Sequence, residues 1–550
     1  MYNEYIFYGI QIIFLLTIAI YQLKTKEFIM STSTIIIMIT IIAYMGMMLI
    51  IGISFSRKNS SVGDFYLGGR RLGPIVTAMS AEASDMSSWL LMGLPGVAYL
   101  TGGAEAGWTA IGLAAGTYVN WLIVAKRLRV YSSSCRAITV PDFFSNRYRD
   151  NKKVLMGATA LIILIFFVPY TGSGFAACGT LFSQLFGWDY HIAMIFSAVI
   201  IIAYTCTGGF MAASFTDLIQ SIVMTLALIS IVGFGVYTAG GFSEVIDNAK
   251  ELPGYFSLSH IHVSETITEN GEIIKAHSDN YSLLTIASLM AWGLGYFGMP
   301  HILLRFMAIE DKNKIKTSRR IASIWVVISM AIAIFIGFIG NAIVNAGKID
   351  ALNSNNSQQI IIRIAQFMAD KHIVLAIIAG LVFAGILACT MSTSDSQLLA
   401  ASSSMSENIL KGVFGIKLSD KQSMLIARAV LIIIASLGVI IAWDENSSVF
   451  DIVSFAWAGF GATFGPVMLT ALFWKRSNKY GAVAGIGVGA VMVFAWKFGI
   501  SKLGGVFAIY ELLPAFMAAL IAIIIVSLAT PEPDKEITEE FDSIKTKMNA

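Results

Sequence analysis

Two carboxylates interrupt an apolar run early in the chain. Glu82 and Asp85 stand with Ser84, Ser87 and Ser88 between long stretches of aliphatic and aromatic side chains. A carboxylate at the centre of a membrane helix costs about 2.5–3.5 kcal/mol on insertion scales, so it normally faces a protein interior or an aqueous cavity. Asp85 could cap the second half of a broken helix through backbone N–H groups near Ser87 and Ser88. A capped break in mid-helix is compatible with a binding site, so this segment is a candidate site under either interpretation.

A second segment combines aromatic residues with helix breakers. Gly293, Gly295 and Gly298 follow Trp292 closely, and Pro300 comes next. Glycine weakens helix propensity and proline lacks a backbone donor, which predicts an unwound stretch. A face of small residues for close helix packing is the alternative.

Polar side chains are also concentrated at residues 389–397, again inside a long apolar run. A single Ser or Thr in a membrane helix usually bonds back to the carbonyl four residues earlier. A cluster of hydroxyls has a further use, because hard monovalent cations prefer oxygen ligands. Hydroxyls from this segment and free carbonyls from the break near Asp85 could together form a cation site.

The composition indicates where these segments fold. Hydrophobic residues make up 56% of the 550-residue chain and charged residues 13%, with a mean hydropathy of +0.74. Soluble proteins carry about 25% charged residues, so a cytosolic enzyme, a disordered protein and a nucleic-acid binder are excluded. The apolar runs are continuous rather than alternating, which favours helices over a barrel. The sequence predicts an all-α polytopic protein in a lipid bilayer.

Uncharged runs bounded by charges or turn residues predict thirteen transmembrane helices. They lie near residues 32–55, 74–100, 105–125, 154–182, 190–207, 214–239, 282–303, 321–347, 373–400, 424–443, 450–474, 480–499 and 509–529. Residues 1–29 form an uncertain N-terminal extension that could add a helix, residues 30–530 the main domain, and residues 531–550 a short solvated tail.

The distribution of basic residues predicts the orientation. With the start of the first span outside, the loops on the inner side hold 28 of the 37 Lys and Arg residues. The richest of these loops are 126–153 and 304–320. The positive-inside rule therefore predicts a cytoplasmic C-terminus in the cell membrane.

The two interrupted segments fall in the second and seventh predicted spans. An offset of five gives two five-helix units opposite topologies in the membrane, which is the pattern of an inverted repeat. The repeats would cover residues 74–239 and 282–474. A substrate and a coupling ion then belong at the midplane, between the two broken helices.

Five segments carry a family resemblance, at residues 66–70, 80–95, 292–306, 391–393 and 454–461. In this order and at this spacing, the chain from about residue 30 to 530 resembles the sodium:solute symporter family. The resemblance implies thirteen helices around a leucine-transporter-like core of five plus five helices. It also implies sodium-coupled secondary transport of L-proline into the cell, with sodium as the co-transported ion and no enzymatic reaction.

The resemblance also implies a sodium site, carried over position by position. Its ligands would be the backbone oxygens of Ala83, Met86 and Cys389 and the hydroxyls of Ser392 and Thr393. Asp85 matches a sodium-linked carboxylate of the family. Asp217 matches a carboxylate that helps a second sodium in some relatives, and an N-cap at the start of the sixth span is its alternative role.

A proline site follows from the same resemblance. It would consist of Ser87, Ser88, Trp89, Tyr170, Trp292, Tyr296 and Pro300. Half-helix N–H groups can bind the carboxylate of a small zwitterion, and aromatic faces can cover its ring and ammonium group. Glu82 and Ser88 depart from the family pattern, Glu82 by adding a negative charge beside the ion site.

Other functions stay open at this point. The solute could be another small amino or carboxylic acid, or the protein could be a transporter-like membrane sensor. A sensor of this kind needs a long cytoplasmic output domain, for which the predicted tail is too short. The six histidines stand beside no nucleophile or metal-spaced partner, and no nucleic acid or obligate protein partner is indicated.

Overall fold

Helices form nearly all of the structure. The computed structural model describes residues 31–56, 62–264, 266–267, 273–445 and 448–549. The predicted extension 1–29 lies outside these residues.

Twenty α-helices, numbered in chain order, run through the described residues. The first ten are α1 (Thr32–Ser56), α2 (Val62–Leu67), α3 (Pro74–Ser88), α4 (Leu94–Thr101), α5 (Gly103–Val119), α6 (Ala125–Ser134), α7 (Val140–Arg147), α8 (Val154–Phe186), α9 (Tyr190–Thr238) and α10 (Phe242–Glu251). The other ten are α11 (Leu283–Met290), α12 (Pro300–Ala308), α13 (Ile315–Asn345), α14 (Ile360–Ala369), α15 (Ile373–Ser403), α16 (Asp420–Ile441), α17 (Val449–Phe473), α18 (Lys479–Phe498), α19 (Leu512–Ala529) and α20 (Lys535–Asn549).

Short irregular helices join several of these elements. The π-helical stretches are Trp89–Gly93, Asn120–Val124 and Ser404–Val413, and the 3₁₀ stretches are Gly68–Arg70, Ala291–Phe297, Lys312–Lys314, Ser357–Gln359, Ile500–Leu503 and Gly505–Phe507. Strands occur in the loop before α11. There β1 (His260–Val263) pairs antiparallel with β4 (His277–Asn280), and β2 (Thr266–Ile267) with β3 (Ile273–Ile274).

Ten of the described helices are long and apolar enough to cross a membrane, or eleven if the bent pair Leu283–Phe297 and Pro300–Ala308 is one span. Each of the thirteen predicted segments is helical over most of its length. The count of thirteen nevertheless stays a prediction. The segment near 74–100 is divided at the end of α3, and Tyr190–Ala203 is a shorter apolar helix.

Both predicted interruptions are present. Ser87 has φ 49° and ψ −171°, a left-handed conformation that ends the regular part of α3. In the second segment the chain follows a 3₁₀ path through Ala291–Phe297 and restarts as α12 at Pro300, with a 46° bend.

The alternative of close packing is also correct for the second segment. A Cβ at Gly295 would overlap the indole of Trp457, and one at Gly298 would overlap the carbonyl of Phe460. Gly293 lies equally close to the backbone of Gly112. Glycine is therefore needed here for helix contact as well as for the unwound path.

The broken helices lie at the centre of the protein. Helices α3, α8, α9, α12 and α15 pack against one another, and α15 is buried without interruption from Val382 to Ser403. The outer helices carry exposed aliphatic faces, such as Ile35, Ile39 and Ile42 on α1. This arrangement suits a protein surrounded by lipid, because the polar residues of the central helices are covered by protein.

The tail differs from the solvated segment that we predicted. Residues 535–549 form α20, which buries Ile537, Phe541 and Ile544 and packs along α6. Arg149 bonds to Glu540 at 2.9 Å. The three apolar residues recur at helical spacing, so the mixed charges around them form the outer face of an amphipathic helix.

Candidate functional site

The break at Ser87 brings aromatic hydroxyls onto Asp85. The Tyr296 hydroxyl donates to Asp85 Oδ2 at 2.5 Å, and the Tyr170 hydroxyl donates to the Asp85 backbone oxygen at 3.3 Å. The second half of the helix is capped differently, because the Trp89 N–H donates to Ser87 Oγ at 3.2 Å. Asp85 as a helix cap is therefore wrong: its carboxylate turns away toward the 3₁₀ segment.

Backbone oxygens near the break meet the hydroxyls of α15. Ser392 Oγ lies 2.8 Å from the Ala83 oxygen and 3.1 Å from the Cys389 oxygen, and it can donate to either. The neighbouring Thr393 hydroxyl is buried and has no hydrogen-bond partner among the described residues. We call Ala83, Cys389, Ser392 and Thr393 the oxygen cluster. Met86, the fifth predicted ligand, is buried and lines the adjacent cavity.

A small cavity of about 20 Å³ lies beside Asp85, close to the volume that one water needs. It is lined by Asp85, Met86, Trp89, Leu113, Tyr170, Trp292, Val453 and Trp457. Three predicted substrate residues, Trp89, Tyr170 and Trp292, are therefore brought together on its wall. Tyr296, the fourth, is hydrogen-bonded to Asp85, which also lines this cavity.

The other predicted substrate residues are not among those that line the cavity beside Asp85. Ser87 supplies the cap described above. Ser88 is buried, and its hydroxyl has no partner in the described part of the chain. Pro300 is buried at the first position of α12. Neither Ser88 nor Pro300 belongs to the described lining of the cavity.

Helix α17 contributes residues that sequence reasoning missed. Trp457 donates from Nε1 to the Trp292 oxygen at 2.8 Å, and Val453 lies one turn earlier on the same face. Phe450 stacks on Trp89 at 6.2 Å between ring centroids and lies tilted against Trp292 at 5.4 Å. The available signal was the spacing of 450, 453 and 457 on one helical face of the predicted span 450–474.

Phe450 also lines a larger cavity of about 440 Å³. Its wall includes Glu105, Gln358 and Asp451 as well as Phe450. Gln358 belongs to the loop 348–372, for which the positive-inside rule predicts a position outside the cell. We call this cavity the vestibule; Phe450 on its wall contacts Trp89 and Trp292, which line the cavity beside Asp85.

Glu82 points away from the oxygen cluster toward α5 and the π-helical stretch behind it. Its Oε1 accepts from Trp121 Nε1 at 2.9 Å and from the Thr117 hydroxyl at 3.3 Å. Asn120, on the same helical face, donates from Nδ2 to the Tyr296 oxygen at 2.9 Å. Glu82 is thus connected to Tyr296 through this helix.

Asp217 as an N-cap is wrong. The break in α9 falls at Gly209, with φ 63°, so Asp217 lies two turns inside the following helix. Asp217 Oδ2 accepts from Ser80 Oγ at 2.6 Å and from Arg305 Nη2 at 3.1 Å. Both charged side chains are essentially unexposed, so this is a buried ion pair.

Arg305 makes three further bonds and was missed by sequence reasoning, which counted it with the basic loop 304–320. Its Nε donates to Ser80 Oγ at 3.0 Å, Nη1 to the His301 oxygen at 2.9 Å and Nη2 to Ser396 Oγ at 2.5 Å. The guanidinium therefore joins α3, α9, α12 and α15. The missed signal was the position of Arg305 only five residues after Pro300, still inside the helix that the proline starts.

Comparison with known sequences agrees with this architecture. A sequence model described as the sodium:solute symporter family matches residues 65–489. The chain is 42% identical over 513 residues to the sodium/proline symporter of Haemophilus influenzae, covering 92% of this chain and 97% of that protein. It is 38% identical over 505 residues to the high-affinity proline transporter PutP of Bacillus subtilis, covering 91% and 100%. Against the sodium/proline symporter of Escherichia coli it is 38% identical over 510 residues, covering 92% and 95%.

Solved structures with the same architecture share little sequence. A Na⁺-coupled sialic acid symporter, in a substrate-bound outward-open state, aligns with a TM-score of 0.73 at 19% identity, covering 91% of this chain and 99% of that one. Mhp1, a nucleobase-cation-symport-1 family transporter in a closed conformation, aligns with a TM-score of 0.51 at 16% identity, covering 88% and 99%. The predicted leucine-transporter-like fold is confirmed.

Proposed function

The chain belongs to the sodium:solute symporter family, and we propose that it imports L-proline together with sodium by alternating access. One observation carries the proposal. The break at Ser87 has the oxygen cluster on one side and the aromatic cavity beside Asp85 on the other. An ion and a solute bound there would share the same short stretch of backbone.

The oxygen cluster and the backbone oxygen of Met86 would together hold the sodium. Backbone oxygens of Ala83, Met86 and Cys389 and the hydroxyls of Ser392 and Thr393 are neutral, hard donors of the kind that a monovalent cation prefers. Thr393 supports this assignment most directly, because a buried hydroxyl without a partner among the described residues costs free energy unless a ligand engages it.

The aromatic cavity would hold proline. Backbone N–H groups at the start of a half-helix can bind a carboxylate, and the second half-helix begins here. The indole faces of Trp89, Trp292 and Trp457 can cover an aliphatic ring and its ammonium group. Since about 20 Å³ accommodates only about one water, the aromatic side chains must move apart when the solute enters.

Phe450 is placed to control that entry. Its ring contacts Trp89 and Trp292 and also lines the vestibule, so its displacement would connect the two cavities. On the opposite side, the guanidinium of Arg305 ties four central helices together and would close the path to the cytoplasm. Transport would open these two barriers in turn.

The remaining assignments complete the proposal. The inverted repeats would span residues 74–239 and 282–474, and the protein would be a multi-pass component of the cell membrane with a cytoplasmic C-terminus. It would transport its solute without catalysing a covalent reaction. Nothing in the lining of the cavity requires an obligate protein partner.

Uptake measurements on the purified full chain in lipid vesicles test the function. Radiolabelled proline is expected to accumulate only with an inward sodium gradient, and unlabelled proline should compete better than other small amino or carboxylic acids. Protein-free vesicles provide the background. Uptake that ignores the sodium gradient, or a clear preference for another solute, would contradict the proposal.

A further inference from the structure

Two of the carboxylates near the helix break lack a cationic partner. Asp217 is paired with Arg305. By contrast, Asp85 accepts from Tyr296, and Glu82 accepts from Trp121 and Thr117. Throughout the described ranges, no Lys, Arg or His forms a hydrogen bond or an ion pair with Asp85 or Glu82.

Three unpartnered oxygens belong to this group of contacts. Glu82 Oε2, Asp85 Oδ1 and Asn120 Oδ1 are buried and have no hydrogen-bond partner in the part of the chain that the structure describes. With both carboxyl groups ionised, all three atoms are acceptors, so they cannot satisfy one another. A cation is the simplest species that would satisfy carboxylate and amide oxygens together.

These oxygens are held by a connected set of contacts. Thr117, Asn120 and Trp121 lie on one face of the helix, and two of them bond to Glu82. Asn120 is fixed by its bond to the Tyr296 backbone, and the Tyr296 hydroxyl bonds to Asp85. The π-helical stretch that begins at Asn120 shifts the following residues, as π-bulges commonly do at functional sites.

We propose that Glu82 and Asn120, with Asp85 beside them, bind a second sodium ion between α3 and the Asn120–Val124 stretch. This site is separate from the oxygen cluster, and it rests on the proposed function because sodium is the ion that the protein meets during transport. One ion at the oxygen cluster would balance the charge of Asp85 and leave that of Glu82. A second ion would balance the charge of Glu82 as well, which matters because an unbalanced buried charge is strongly unfavourable.

The second ion changes the energetics of transport. One sodium moving through 100 mV down a tenfold gradient supports an accumulation of about several hundred-fold. Two ions would support on the order of 10⁵-fold. The chain would therefore scavenge its solute from far lower external concentrations than a carrier that uses one ion.

Sodium binding to the purified full chain tests the site without any solute. Binding of radioactive sodium in lipid nanodiscs should reach two ions per chain in the wild type and one in Glu82→Gln. Asn120→Ala should weaken the second binding step about tenfold, as expected for loss of one such ligand contact. Glu407→Gln is the matched control, because Glu407 is a partly buried carboxylate with its own cation, Lys411, at 2.9 Å. The Glu407→Gln variant should still bind two sodium ions per chain.

The outcomes are distinct from those of the uptake assay. A wild-type stoichiometry of one sodium would overturn the second site, and this measurement needs no variant to fold. Release or uptake of a proton at Glu82 with only one sodium bound would overturn it as well. If the chain instead preferred a solute other than proline, the stoichiometry of two would be unaffected, and only the proposed substrate would fail.

Discussion

Replacing Arg305 by methionine tests whether the buried pair with Asp217 holds the cytoplasmic side closed. The guanidinium makes four hydrogen bonds of 2.5–3.1 Å to groups on α3, α9, α12 and α15. Removing one partner of a buried ion pair costs about 3–5 kcal/mol, mainly because the other charge is left uncompensated. The cost falls on the closed state, since an open cytoplasmic path would let water reach Asp217.

A loss of this size should raise the ratio of inward-open to closed protein by a factor of about 10² to 10⁴, since about 1.4 kcal/mol corresponds to each factor of ten. Asp217→Asn should act in the same direction. The double variant Asp217→Asn/Arg305→Met removes both charges, so it should be more stable to heat than either single variant.

Cys389 provides the readout. Cys389 is buried and its backbone oxygen belongs to the oxygen cluster, and the chain has only three other cysteines, at 135, 178 and 206. With those three replaced by alanine, a membrane-impermeant thiol reagent added from the cytoplasmic side should label Cys389 slowly in the parent protein. Labelling should be much faster in Arg305→Met, and sodium should protect the thiol.

The matched control is Arg320→Met, which removes an exposed arginine from the same side of the protein. It should leave labelling unchanged. The reasoning would be refuted if Arg305→Met labelled Cys389 no faster than Arg320→Met while retaining sodium-driven uptake. The pair would then stabilise the fold without controlling access.

Three further predictions concern the ion, the solute and the N-terminus. Ser392→Ala combined with Thr393→Ala should raise the sodium concentration for half-maximal uptake about tenfold or more, because each change removes a neutral ligand. If the sodium dependence were unchanged, the two hydroxyls would only bond to backbone oxygens of their own helix and would not bind the ion. Trp292→Ala or Tyr296→Ala should weaken proline binding far more than sodium binding, measured as separate apparent constants in folded, inserted protein. A chain that starts at Met30 should insert and transport normally, whereas normal insertion with lost uptake would make residues 1–29 a functional part of the protein.

The broken helices could be predicted because they violate the local pattern of a membrane helix. Acidic residues near Ser87 and glycines before Pro300 are visible without any tertiary information, and the structure has a break at each place. The number of spans is harder to derive. A helix divided at Ser87 and the short Tyr190–Ala203 helix resemble full spans in composition but not in continuous length.

The wrong predictions share one cause, which is a partner distant in sequence. Asp85 was a reasonable cap until Tyr296, 211 residues away, supplied its hydroxyl. Asp217 was a reasonable cap because neither the break at Gly209 nor the contact with Arg305 can be read from local spacing. Local patterns predict which residues are out of place in a membrane, but the fold determines which partner each one meets.

The position of Ser87 explains how one short segment could couple two ligands. Ala83, whose oxygen belongs to the cluster, lies one turn before the break, and Trp89, on the wall of the aromatic cavity, lies just after it. An ion that fixes the carbonyls before the break also restricts the direction of the half-helix after it, and with it the N–H groups that a carboxylate would use. The effect must operate equally in the other direction, because equilibrium coupling between two sites is reciprocal. Tyr296 and Tyr170 are both hydrogen-bonded to Asp85, and they extend this constraint to the 3₁₀ segment and to α8. Binding of either ligand therefore restricts the residues that surround the site of the other.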